Sequence, residues 1–158
     1  MVEWTVVDKG YYYRVRIHGS NDLRDWLFNF MTGRTIGSNV RVNRWDRYEA
    51  LVVLRALREY RDKPIHVWGH SRGGAIAQIV AYELKAADRL MCLQVFGSKR
   101  TGNRAFVQRL IAFNVDSIRL RGDWIPFLPP WYWPLPTLVH GPWRPVWIAH
   151  NRYSLPRM

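Results

Sequence analysis

Gly69-His70-Ser71-Arg72-Gly73-Gly74 sets a serine two residues from a glycine on either side. The short apolar run Ile65-His66-Val67-Trp68 precedes it, and residues 75–87, rich in Ala, Ile, Val and Leu, read as a helix behind it. The serine therefore belongs on a sharp strand-to-helix turn. There its hydroxyl is pushed out at the carboxyl edge of a sheet, and the flanking glycines let neighbouring backbone approach without Cβ clashes. The first amides of the helix favour an oxyanion developing nearby. The chemistry such a group could do is acyl transfer through a serine nucleophile. As a bare pattern the motif would arise by chance in about one chain in 20 of this length, so the strand and helix around it carry the reading against an ordinary Gly-rich turn.

A serine hydroxyl needs a base to take its proton, and the base needs a carboxylate to orient it. On a sheet of this kind the partners follow in the order Ser, Asp or Glu, His. After Ser71 the acidic residues are Glu83, Asp88, Asp116 and Asp123, and the histidines are His140 and His150. Glu83 and Asp88 fall on or just after the helix, away from its start. Asp116 precedes the strand over 117–120 and so belongs at the opposite edge. Asp123 follows that strand in a Gly-Asp turn, at the edge where Ser71 should sit, and is the best carboxylate. His140 and His150 both remain open at this point.

These groups have to be positioned by elements that the pattern also predicts. Residues 2–7, and then Tyr11, Tyr13, Val15 and Ile17 alternating with Tyr12, Arg14, Arg16 and His18, form a hairpin signal around Asp8-Lys9-Gly10. Leu23, Trp26, Leu27 and Phe30 fit one face of a short helix over 21–30, with Asn21 or Asp22 as N-cap. Residues 31–45 read as a loop. Tyr48, Leu51, Val52, Ala56 and Leu57 make 46–62 an amphipathic helix covering a sheet, stopped by Pro64. A strand over 90–96, a Gly-rich loop over 97–102, a helix over 104–113 and a strand over 117–120 complete a βαβ alternation. That alternation predicts a mostly parallel sheet in a three-layer α/β fold. Eight of the nine prolines and five of the nine tryptophans follow Asp123, so this end reads as extended loop and edge structure rather than helix.

A chain of 158 residues suits one domain, taken here as 1–158. The single cysteine, Cys92, excludes a disulfide framework and a Cys-only zinc site. No basic segment followed by an apolar stretch opens the chain, and no run reaches the ~18 apolar residues that span a bilayer. The expectation is a soluble, cytoplasmic chain. The formal charge is +12, and 20 of the 24 cationic residues are arginines scattered from Arg14 to Arg157. An excess of this size attracts anionic partners, nucleic acid or an anionic membrane surface alike.

Three further stretches make a family resemblance specific. Val67-Trp68-Gly69-His70-Ser71-Arg72-Gly73-Gly74-Ala75-Ile76-Ala77 resembles the GHSLGGALA elbow of the class 3, fungal-type lipases of the α/β-hydrolase superfamily. Phe96-Gly97-Ser98-Lys99-Arg100-Thr101-Gly102-Asn103 is similar to their FGSPRVGN loop, and Gly122-Asp123-Trp124-Ile125-Pro126-Phe127-Leu128-Pro129-Pro130 to their DIVP-x-LPP segment. Residues 17–26, beginning Ile17-His18-Gly19-Ser20, resemble the family's FRG-[ST] element. The resemblance implies an α/β-hydrolase-like three-layer sandwich, minimal and with little or no lid. It implies Ser71 as nucleophile, Asp123 as the carboxylate and His150, within His150-Asn151-Arg152-Tyr153, as the base. His140-Gly141 is similar to a non-catalytic histidine of the family. Ser20 and the amide of Arg72 would form the oxyanion hole. Arg72 stands where the family has leucine, Lys99 where it has proline, and His18 where it has arginine.

On this reading the chain is a lipase or esterase that cleaves carboxylic esters through an acyl-enzyme, with no cofactor or metal. Its substrate is an ester or lipid, met at an anionic membrane surface more readily than nucleic acid is bound. Two alternatives keep the same residues: a weak or inactive lipase-like scaffold binding nucleic acid or another polyanion, and a triad acting on thioesters, amides or acetyl groups. His66 and His70 straddle a strand and a turn, which does not make the helical spacing of a zinc site. The aromatics of Tyr11 to Arg16 read as a packed strand face rather than a nucleic-acid platform, whereas Trp131-Tyr132-Trp133 suits a lipid-water interface, with at least one ring in the core.

Overall fold

The computed structural model describes residues 2–19, 33–36 and 39–151. β1 (Trp4–Asp8) and β2 (Tyr13–Ile17) pair antiparallel, Val6 opposite Val15, as the alternation predicts. Their turn closes through Gly10, whose φ of +82° costs a glycine nothing and whose amide donates to Asp8 Oδ1 at 2.8 Å. β5 (Ile65–His70), β6 (Leu90–Phe96), β7 (Val115–Leu120) and β8 (Leu138–His140) follow parallel to β2. The sheet order is β1-β2-β5-β6-β7-β8, with only the β1–β2 pair antiparallel.

Parallel neighbours need crossovers; helices lie on three of the four, and the fourth, from β7 to β8, runs through residues 121–137 with a single 3₁₀ turn. α1 (Arg44–Ala56) leads into β5, α2 (Arg72–Ala86) joins β5 to β6, and α3 (Arg104–Leu110) joins β6 to β7. Val15, Val67 and Leu93 are register partners across three strands and are wholly buried. They form one cluster with Ile76, Val80 and Leu84 of α2, Ala50 and Val53 of α1, and Phe106, Val107 and Leu110 of α3. Each large apolar side chain removed from water here contributes about 1.5–3 kcal/mol. α2 is buried all round its first ten residues because it is packed between the sheet and α1. This central position fixes the turn that starts it.

Three expectations are corrected. The stretch read as a loop over 31–45 contains β3 (Gly33–Ile36) and β4 (Val40–Asn43), an antiparallel hairpin, and the start of α1. Val40 and Val42 are fully buried, and the backbone of 101–103 clamps the hairpin: Asn43 N donates to Thr101 O at 2.8 Å and Asn103 N to Arg41 O at 2.9 Å. The two-residue alternation of Val40-Arg41-Val42-Asn43 was the only local signal. Second, α1 is rotated from the expected face. Tyr48 (60%), Leu51 (47%) and Val52 (36%) are exposed, while Asp46 and Glu49 are buried beside Ala50 and Val53. Hydropathy cannot anticipate this, because the cations that match those carboxylates come from other elements. Third, residues beyond Asp123 include a 3₁₀ turn (Ile125–Phe127) and a helix, α4 (Val146–Asn151). Pro145 starts α4 rather than blocking it: its carbonyl accepts from Ile148 N at 3.0 Å and Ala149 N at 2.9 Å, and its own missing N–H costs nothing in a first turn. The expected helix over 21–30, and Ser20, lie outside the described residues.

Candidate active site

Ser71 ends the run from β5 and caps α2 with φ +55° and ψ −123°, a conformation that non-glycine residues adopt only when their surroundings impose it. The imposing contacts are visible. Ser71 N donates to Phe96 O at 2.9 Å, and Gly74 N donates back to Ser71 O at 3.1 Å. A Cβ on Gly69 would sit 2.5 Å from Gly73 O and 2.7 Å from Ala77 Cβ, and one on Gly73 would run into the carbonyl of Ile17. Strand, elbow and helix therefore approach as only glycines allow.

The C-terminal ends of β5 and β7 and the helix α4 converge on Ser71 Oγ. His150, near the end of α4, receives the Ser71 hydroxyl at Nε2 over 2.7 Å and donates from Nδ1 to Asp123 Oδ2 at 3.0 Å. Because a carboxylate only accepts, the proton of neutral His150 resides on Nδ1, leaving Nε2 free to accept from the Ser71 hydroxyl. Asp123 is 1% exposed, and its other oxygen accepts from Ile125 N at 3.1 Å, the first amide of the 3₁₀ turn. The Gly-Asp turn after β7 and this short turn hold the carboxylate with both oxygens engaged. Of the two histidines left open, His140 lies at the end of β8, exposed, with its carbonyl accepting from Arg121 N at 2.9 Å. Asp116 lies inside β7, which begins at Val115 rather than 117, and accepts from Gln94 at the far end of the sheet. Arg72, the first residue of α2, carries one of the amides that a helix start leaves without an intrahelical acceptor. Gly19 packs against the elbow, where a Cβ would stand 3.1 Å from that of Ser71.

His70 has a place that the sequence did not suggest. Its Nε2–H donates to the backbone carbonyl of His150 at 3.0 Å, and the two rings lie 5.0 Å apart. Burial, and then the neighbouring His150, lowers its pKa from 6.5 to about 4. The unfolded chain thus binds this proton below pH 6.5 while the folded one does not until about pH 4, so stability is full above pH 6.5 and falls as pH drops through that window. The loss expected by pH 4 is about 3 kcal/mol. Urea unfolding at several pH values checks this: the fall should be distinctly shallower in His70→Gln, and identical slopes would reject the assignment.

Sequence reasoning also missed a set of buried charges beside the elbow. Arg72 Nη2 lies 3.1 Å from Glu49 Oε1, and Lys99 Nζ lies 2.8 Å from Asp46 Oδ2. The signal was present in the two cations that replace leucine and proline at Arg72 and Lys99, since a buried cation requires a partner. Of the aromatic run, Tyr132 is buried while Trp131 (61%) and Trp133 (47%) are exposed. Arg100 holds this segment by donating to the carbonyls of Pro126, Pro130 and Tyr132 at 3.2–3.3 Å. Among the described residues no group of His, Cys, Asp and Glu is arranged to hold a metal, and no helix is long and apolar enough to cross a membrane.

Known proteins carry the same arrangement of elements. The chain is 39% identical over 59 residues to the chloroplastic phospholipase A(1) DAD1 of Arabidopsis thaliana, a match covering 34% of this chain and 13% of that protein. Its fold matches the triacylglyceride lipase of Rhizomucor miehei at a TM-score of 0.63 and 22% identity, over 82% of this chain and 56% of that one. An MDLA mutant from Penicillium cyclopium matches at 0.74 and 20%, over 89% and 60%. A lipase from Rhizopus microsporus var. chinensis matches at 0.64 and 23%, over 82% and 52%. The chain spans little more than half the length of these structures, and the shared architecture is the α/β-hydrolase fold. The family described as Lipase (class 3) matches residues 14–133 of the 158. The chain belongs to the class 3 lipase family.

Proposed function

We propose that this chain hydrolyses lipid carboxylic esters through an acyl-enzyme on Ser71. The observation that carries the reading is the unbroken path Ser71 Oγ to His150 Nε2 (2.7 Å) and His150 Nδ1 to Asp123 Oδ2 (3.0 Å). His150 takes the hydroxyl proton as Oγ bonds to the acyl carbon. The carbonyl electrons move onto oxygen, where the amide of Arg72 receives the charge, Ser20 being the second donor that the family resemblance implies. Collapse breaks the ester bond, and the alcohol departs with the proton from His150 Nε2. Water then attacks the acyl-enzyme with His150 again as base, and the acid is released. Asp123 keeps Nδ1 protonated and offsets the charge of the imidazolium. The relatives' names, a phospholipase A(1) and a triacylglyceride lipase, support lipid esters as the substrate class. The +12 charge, with Trp131 and Trp133 exposed, favours meeting them at an anionic lipid surface.

Fluorophosphonates trap an activated serine covalently, which provides a direct test. Folded wild-type protein should label stoichiometrically and Ser71→Ala not at all. Equal labelling of the two, or none of the wild type, refutes the proposal.

A further inference from the structure

Four ionic side chains are buried together next to the elbow: Asp46 (0% exposed), Glu49 (8%), Arg72 (6%) and Lys99 (3%). Two are anions and two are cations, so the group is neutral. Asp46 Oδ2 is shared by Lys99 Nζ and Thr101 Oγ1, both at 2.8 Å, which ties the loop after β6 to α1. Arg72 reaches the same helix one turn on. Its Nη2 is 3.1 Å from Glu49 Oε1, whereas its Nε stays 3.9 Å from Asp46 Oδ1, beyond hydrogen-bond length. Glu49 is thus the principal partner of Arg72.

The location gives this pair a consequence. The two residues after Arg72 are Gly73 and Gly74, which have no side chains with which to anchor the first turn of α2. Ser71 before it is held in an unfavourable left-handed conformation. The guanidinium of Arg72 is therefore the first side-chain tether of the helix, attached to the very residue whose N–H would receive the oxyanion. Electrostatic stabilisation of that kind depends on donors fixed before charge develops. We propose that Glu49 is a positioning residue: by holding the Arg72 guanidinium against α1, it sets the direction of the Arg72 backbone N–H at the elbow. The inference rests on the esterase reading above.

The test compares Glu49→Gln, Arg72→Met and the double variant on p-nitrophenyl butyrate, with rates normalised to sites titrated to completion by a fluorophosphonate. Each single substitution should lower kcat about tenfold and leave KM within about twofold, because the donor matters to the transition state more than to the ground state. The two act through one tether, so the double variant should lose about tenfold and not about a hundredfold. A purely structural role would lower the number of titrated sites and leave kcat per site unchanged. Should Glu49→Gln fail to fold, the double variant, which removes one charge of each sign, decides alone. A kcat per site within twofold of wild type in the double, or single losses that multiply, overturns the inference while Ser71-dependent turnover stands. Absence of turnover in the wild type overturns both.

Discussion

Turnover of p-nitrophenyl butyrate by Ser71→Ala is expected to fall roughly 10⁶-fold, and His150→Ala to fall about as far. On the proposed mechanism the reason is geometric. His150 Nε2 has a task only because a hydroxyl stands 2.7 Å away, and that hydroxyl is a nucleophile only while Nε2 can take its proton. The two form one unit, so the double variant should be no slower than either single. The fold should survive both substitutions. Ser71 makes its structural contacts through its backbone, accepting from Gly74 N and donating to Phe96 O, and alanine retains them. Initial rates on the purified variants, with near-ultraviolet circular dichroism as the check on packing, decide the matter. Ser71→Ala retaining more than about 1% of the wild-type rate would mean that another group attacks the ester.

Asp123→Asn is expected to lower kcat about 10⁴-fold with little change in KM. Asparagine fits the same space. Its Oδ1 can still accept from Ile125 N, the partner of one Asp123 oxygen at 3.1 Å. What it then presents to His150 is an NH2 group, a donor, where the carboxylate accepted from Nδ1 at 3.0 Å. To meet a donor, the imidazole must carry its proton on Nε2, and a protonated Nε2 cannot take the proton of Ser71. The charge that stabilises the imidazolium is lost as well. Binding of the ester does not use this contact, so KM should be unaffected. A loss below about 10-fold would show that the carboxylate does not orient the base.

The elbow was legible in the sequence because its requirements are local. Gly69 and Gly73 are needed where the strand and helix come too close for a Cβ, and that need appears as glycine at fixed spacing. Asp123 was readable through strand order, since it follows a strand that had to end at the same edge as Ser71. The helix carrying His150 was not readable. Prolines are counted as helix breakers, yet Pro145 opens α4. The face of α1 was misread for a related reason. Asp46 and Glu49 have the composition of a solvated face, and only the arrival of Lys99 and Arg72 from other parts of the chain makes their burial affordable.

By itself, then, the amino-acid sequence pointed to the alternation of strands and helices, the hairpin that begins the sheet, the elbow at Ser71, and Asp123 as the carboxylate at the same sheet edge, with two histidines left to choose between. These depend on periodicity, turn chemistry and motif, which act over a few residues. The tertiary structure alone decided which histidine stands beside Ser71, which face of α1 turns inward, that His70 donates to the His150 carbonyl, and that four charges lie buried beside the elbow. Each of these joins groups distant in sequence. The energy of a charge or a hydrogen-bonding group in the interior is set by the partner it meets there, and that partner is chosen only when the chain closes.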